Sequence, residues 1–186
     1  LCKKNRIQTV GASAVFSNKD KIFYKKIRGT VVAIIAMAEK EFNFIPDVGV
    51  GANLFDSIDA FYQIKEAKNK ADIVIITIHG GNEYFPYPNP KFRKACKYLI
   101  DLGVNAIVCH HAHIPGSFES YKGAPIFYSI GNYIFDAKNK PNGWDKGFMV
   151  EFEFDEVNFL LSKFNLFPYT QSVDSGGVNL LDKVER

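Results

Sequence analysis

The chain has 186 residues, 47% of them hydrophobic, 15% aromatic and 23% charged, which is enough apolar material to bury a core and too much for a disordered segment. Its net charge of +3 comes from scattered lysines such as Lys19, Lys21, Lys25 and Lys26, and the aromatics lie in apolar runs that read as core, so nucleic acid is not an expected partner. Three widely spaced cysteines, Cys2, Cys96 and Cys109, exclude a disulfide framework and a Cys-x-x-Cys metal site, and the longest apolar run, Val31 to Ala38, is far below the roughly 20 residues that span a bilayer.

A single soluble domain over residues 1–186 is therefore expected. The first residue is Leu1 and not Met, which reads as a processed, trimmed or excerpted chain.

Along the chain, Ile22 to Ile27 and Thr30 to Ala38 read as strands, the second with a Val/Ile run typical of a strand buried on both faces. Phe55, Ile58, Phe61 and Tyr62 recur at helical spacing, with Asp56 and Asp59 in the early turns, and Ile73 to His79 returns to strand. A second helix is sharply bounded: Asn89 caps it, Pro90 takes its first position, Phe92, Ala95, Cys96 and Leu99 form its apolar stripe, and Gly103 ends it. Strands follow at Ala106 to Cys109 and Ile126 to Ile130, giving a strand, helix, strand order and an α/β fold with a parallel sheet. From Gly147 the pattern changes to period two; Gly147 to Phe154 and Phe159 to Phe167 form a C-terminal antiparallel hairpin across Asp155 to Asn158, and the tail through Ser175, Gly176 and Gly177 is loop-like.

All four histidines fall at ends of predicted strands, the edge at which open α/β sheets bind ligands. His79 runs into Gly80-Gly81-Asn82-Glu83, and Cys109 runs into His110-His111-Ala112-His113. A His-x-His pair on an extended segment directs both rings to one side, and a third imidazole from a neighbouring strand makes a nitrogen-rich site for a borderline divalent metal. Glu83, on the same loop as His79, is a candidate acid–base or outer-shell carboxylate, Asn132 offers an amide after another strand end, and Phe85-Pro86-Tyr87-Pro88 reads as a stiff loop walling a pocket. The plainer alternative is that each histidine satisfies only local hydrogen bonds. No Walker loop, Gly-x-Gly-x-x-Gly or Gly-x-Ser-x-Gly motif competes.

With these motifs in order, residues Asp72 to Asp136 resemble the bacterial capsule synthesis protein CapA family, linked with poly-gamma-glutamate production and related in fold to calcineurin-like metallophosphoesterases. The resemblance runs through Ile76 to Tyr84, His110 to His113 and Lys122 to Asp136, with a weaker match at Thr9 to Ala12 and Arg28 to Ala33. Gly80 stands where the family usually has Trp, Cys109 where it has Gly, and Ala112 where it has Pro. The family's opening Gly-Asp strand and Asn-Asn-His segment have no counterpart before Thr9.

The resemblance implies a layered α/β/β/α sandwich, incomplete at its N-terminus. It further implies a divalent metal (Mn, Zn or Fe) held by His79, His111 and His113, protons handled by His110 or Glu83, and substrate met by Asn132. The implied substrate is an anionic polymer or a small phosphorylated or ester compound. Other capsule-synthesis proteins are implied partners, and the full-length protein is expected at the cell surface or membrane. The implied activity is a metal-dependent hydrolase or transferase; the alternative is a non-catalytic component of a polymer synthesis or export complex.

Overall fold

The computed structural model describes residues 2–13, 21–39, 44–45, 50–135, 140–172 and 177–181. Its centre is a six-stranded sheet. The strands are β2 (Ile22–Ile27), β3 (Thr30–Ala38), β6 (Ile73–His79), β7 (Ala106–His110), β8 (Phe118–Tyr121) and β9 (Ala124–Phe127), in the spatial order β2-β3-β6-β7-β9-β8. The middle strands β3, β6, β7 and β9 run parallel, as their continuous aliphatic sequences anticipate, while β2 and β8 close the edges antiparallel. A small sheet of β1 (Ala12–Ser13), β5 (Val50–Ala52) and β4 (Phe44–Ile45) precedes α1 (Ser57–Lys68).

Helix α1 and helix α2 (Pro90–Asp101) share one core with Ala33, Ile35, Met37, Val74, Ile76, Ile78, Ile107, Cys109 and Ile126, the alternate residues on one face of the sheet. In α2 the bounds expected from Asn89, Pro90 and Gly103 are those observed. Asn89 Oδ1 accepts the Phe92 N–H at 2.8 Å, and Gly103 has φ +95°. The buried stripe of α2 is Phe92, Cys96, Leu99 and Ile100.

In α1 the expected apolar face is corrected. Ile58, Phe61 and Tyr62 are exposed, and Ala60, Gln63, Ile64 and Ala67 face inward. Two alanines four and three residues from Ile64 let the helix approach the sheet closely, and Gln63 is accommodated because its amide pairs with buried Asn53 through two hydrogen bonds of 2.8 and 3.2 Å.

Three further expectations change. The strand expected over Ile126 to Ile130 ends at Phe127, because the chain leaves the sheet at Tyr128 and turns at Gly131 (φ +78°). The C-terminal hairpin is β10 (Lys146–Phe154) on β11 (Leu161–Ser172), and it carries a third strand, β12 (Gly177–Leu180), where a loop was expected. Ser175, Gly176, Lys19 and Asp136 lie outside the described residues. This three-stranded sheet packs on the side of the central sheet away from the helices: Phe127, next to helix-facing Ile126, meets Phe148, Phe152 and Phe164 at ring-centroid distances of 6.0, 6.1 and 5.2 Å. Among the described residues the layers are thus helix, sheet, sheet, and no helix is long and apolar enough to cross a membrane.

Candidate metal centre

Register brings the histidines together. Ala38 pairs with His79 and His79 with His110 across three adjacent parallel strands, so β3, β6 and β7 end at one level. Glu39, the residue that follows β3, donates its N–H to the His79 carbonyl at 2.9 Å and accepts the Gly81 N–H on Oε2 at 2.7 Å. This bracket bends the chain at Gly80, whose missing side chain leaves room for the Glu39 carboxylate. The Gly80 N–H reaches the His110 carbonyl and the Tyr84 N–H the Ala112 carbonyl, both at 2.9 Å, which ties the loop carrying Glu83 to the histidine cluster.

The geometric reason expected for the His-x-His pair is corrected. His111 and His113 are not on extended backbone; their φ values are +113° and +62°, a left-handed course that a non-glycine residue adopts at a cost of about 1–3 kcal/mol. Their rings nevertheless lie 5.5 Å apart, and the His79 ring lies 5.0 Å from that of His111. Glu83 Oε1 is 4.0 Å from His111 Nε2 and 3.9 Å from His113 Nε2.

These separations are too long for hydrogen bonds, yet under the roughly 4.2 Å that two bonds of about 2.1 Å to one cation can span. The three donor atoms lie within 4.8 Å of one another, and two imidazoles with one carboxylate suit a borderline divalent ion.

The tautomer of His113 follows from its neighbours. Asn132 Nδ2 donates to the carbonyls of His113 (3.0 Å) and Trp144 (3.2 Å), so Oδ1 is the atom 2.9 Å from His113 Nδ1, and that nitrogen carries the proton. The lone pair of His113 is left on Nε2, facing Glu83, as metal ligation requires. Asn132 is buried, and its side-chain amide is engaged by His113 and Trp144.

Burial, with the nearby His111 and His113, pushes the His79 imidazole below its ordinary range. Burial pushes His110 down as well, with His79 adding to it. Both shifts favour the neutral form of the ring.

Aromatics frame the cluster. The His113 ring stacks 4.7 Å from Trp144 and 5.4 Å from Phe135, and Tyr84 lies 6.1 Å from His113. Tyr84, Phe85, Tyr87, Tyr133 and Phe135 are exposed. Sequence reasoning did not single out Glu39 or Trp144; the Trp was discoverable as the only one in the chain.

The family model of the bacterial capsule synthesis protein PGA_cap matches residues 1–137. The chain is 34% identical to the PGA biosynthesis protein CapA of Bacillus subtilis, over 77% of this chain and 37% of that protein, and 32% identical to the capsule biosynthesis protein CapA of Bacillus anthracis, over 77% and 35%. It thus spans little more than a third of the length of these two relatives.

Among solved structures it superposes on a putative 5'-nucleotidase of Staphylococcus aureus with a TM-score of 0.56 at 14% identity, covering 87% of this chain and 32% of that one. A hypothetical protein of Thermus thermophilus gives 0.53 at 9% identity, covering 82% and 63%. These likenesses give the fold as the metallophosphoesterase type. With the family match over residues 1–137 and the two CapA relatives, the chain belongs to the bacterial capsule synthesis protein family.

Proposed function

We propose that this protein is a metal-dependent hydrolase or transferase of capsule or poly-gamma-glutamate metabolism, acting at a phosphate, ester or amide centre. The observation that carries this reading is the position of Glu83 Oε1, almost equidistant from the Nε2 atoms of His111 and His113. In this reading His111, His113 and Glu83 hold a divalent cation (Mn, Zn or Fe), with His79 beside them as a further ligand. When bound, such an ion supplies Lewis acidity to the attacked centre and to the attacking water.

The other groups follow from their surroundings. Neutral His110 accepts a proton from the attacking water or returns one to the leaving group. Asn132 orients His113 and so serves the centre indirectly. Glu83 shifts from the acid–base role implied by family resemblance to ligation.

A second reading, a non-catalytic part of a polymer synthesis or export complex with other capsule-synthesis proteins as partners, is favoured by one observation. Among the described residues the metal-type group contains a single carboxylate, whereas two-metal sites use bridging carboxylates.

Metal analysis of the purified full-length protein separates the two. Stoichiometric Mn, Zn or Fe is expected, with ligand-dependent thermal stabilisation that a chelator removes and that His111→Ala and His113→Ala abolish. Melting indifferent to all three ions and to chelator, with polymer production unchanged in His79→Ala, overturns the catalytic reading.

A further inference from the structure

The C-terminal sheet sends one polar side chain into the wall of the histidine cluster. Gln171, on β11, is 3% exposed. Its amide makes three contacts, all with the backbone of two residues: Nε2 donates to the carbonyls of Phe135 (3.0 Å) and Trp144 (3.4 Å), and Oε1 accepts the Phe135 N–H at 3.3 Å.

Phe135 and Trp144 are the residues whose rings pack on His113, with interplanar angles of 11° and 25°, and on each other, with centroids 5.0 Å apart. Trp144 Nε1 donates to the same Phe135 carbonyl at 2.7 Å, and Asn132 Nδ2 shares the Trp144 carbonyl with Gln171. The Gln171 N–H anchors the Trp144 segment again, through the Asp145 carbonyl at 2.7 Å. Both rings packed on His113 and the amide that sets its tautomer therefore converge on this glutamine.

Burying an amide is unfavourable unless each group finds a partner, and an aliphatic residue would fill the same space without that requirement. Here the donors and the acceptor are matched to Phe135 and Trp144 and to nothing on the strand's own sheet.

We propose that Gln171 is a positioning residue for His113, so that the C-terminal sheet, lying beyond the family-matched residues 1–137, is an integral part of the candidate metal centre. The functional consequence rests on His113 being a ligand; the positioning itself does not.

The test uses Trp144, the one tryptophan of these 186 residues, as reporter. Gln171→Met keeps the side-chain length and removes the amide. It is expected to retain the far-UV circular dichroism of the wild type, to shift Trp144 emission to the red with greater acrylamide quenching, and to weaken Zn²⁺ or Mn²⁺ binding by about 10–100-fold.

Asp56→Ala, which removes the N-cap of α1, is the control for stability alone. It should lower the melting temperature without moving emission or metal affinity. Wild-type emission, quenching and metal affinity in Gln171→Met overturn the proposal.

If Gln171→Met does not fold, Trp144→Phe decides, since it keeps an aromatic ring beside His113 while removing the N–H to Phe135 and part of the ring packing that Gln171 is proposed to hold. Weakened metal binding in that variant supports the proposal and unchanged binding overturns it. If the wild type binds neither ion, the metal reading fails separately, and emission with quenching alone judges whether Gln171 holds the stack.

Discussion

A Cβ at Gly131 would run into the carbonyl oxygen of Lys146 and come within 2.9 Å of Gly147 Cα, on a residue whose φ is already +78°. Neither neighbour is a flexible side-chain end. Gly131→Ala is accordingly expected to destabilise the fold by about 3 kcal/mol or more, combining left-handed strain with a backbone clash. Gly80→Ala meets only the Glu39 side chain, 2.6 Å from Oε2 and 2.7 Å from Cγ, which can swing away at the loss of one hydrogen bond to Gly81. About 1 kcal/mol is expected there. Urea midpoints of the two variants give the ranking, and a reversed order would contradict the packing around both turns. Residue identities at this scale were legible from the sequence: His79, His111, His113 and Glu83 do gather. Their geometry was not, because alternation along a strand was assumed where His111 and His113 have positive φ. Asn132 was found for a different reason from the one its contacts give, since its partners His113 and Trp144 lie 19 and 12 residues away.

At the scale of elements, α2 is held at both ends by local chemistry. Asn89 caps it, and its Nδ2 also reaches Asn82 Oδ1 at 2.9 Å, linking the helix start to the loop that bears Glu83. Asn89→Ala should cost about 1 kcal/mol, read as a lower melting temperature. The outer face of α2 is tied to β8 by Glu119, which accepts from Arg93 through both carboxylate oxygens (2.9 and 2.6 Å) and from Tyr128 Oη at 2.6 Å, with Lys97 3.3 Å away. The Arg93 hydrogen bonds, helped by Tyr128 and Lys97 and opposed by burial, hold the Glu119 carboxyl at about 2, from an ordinary 4.5. A folded-state value below the unfolded one means stability that is full above the unfolded value and lost as pH falls toward the folded one. The wild type should therefore exceed Glu119→Gln in stability at neutral pH, and the difference should vanish between about pH 4.5 and pH 2. Because Arg93 is half exposed, the gap is expected to be about 1 kcal/mol and to shrink with salt. Denaturation curves across that range check it. Helix α2 was readable because its signals are local, whereas β8, Phe-Glu-Ser-Tyr, is too short and polar to announce itself, and β12 begins at a glycine and is a strand only because β11 pairs with it. In α1 the aromatic period pointed outward, and what faces the sheet is small.

Across the whole molecule, the two sheets meet at a seam of phenylalanines. Phe127 is fully buried, stacks 5.5 Å from Phe118 within the central sheet, and touches Phe148, Phe152 and Phe164 of the C-terminal one. Alternation in β10 foretold a sheet with one apolar face, but not where that face would dock, since the contacts span more than twenty residues of sequence and depend on Phe127 pointing away from the helices. We predict that the two sheets unfold as one unit. Far-UV circular dichroism, dominated by the central sheet and helices, and Trp144 fluorescence, which sits where Phe135 meets Gln171, should give coincident urea transitions. Phe127→Ala opens a cavity at the seam and should move both curves together, by about 3–5 kcal/mol. Had the C-terminal sheet been a separate cooperative unit, the Trp144 transition would come first and Phe127→Ala would widen the gap between the two probes. A single shifted transition instead means that the strands beyond residue 137 and the histidine-bearing edge of the central sheet stand or fall together.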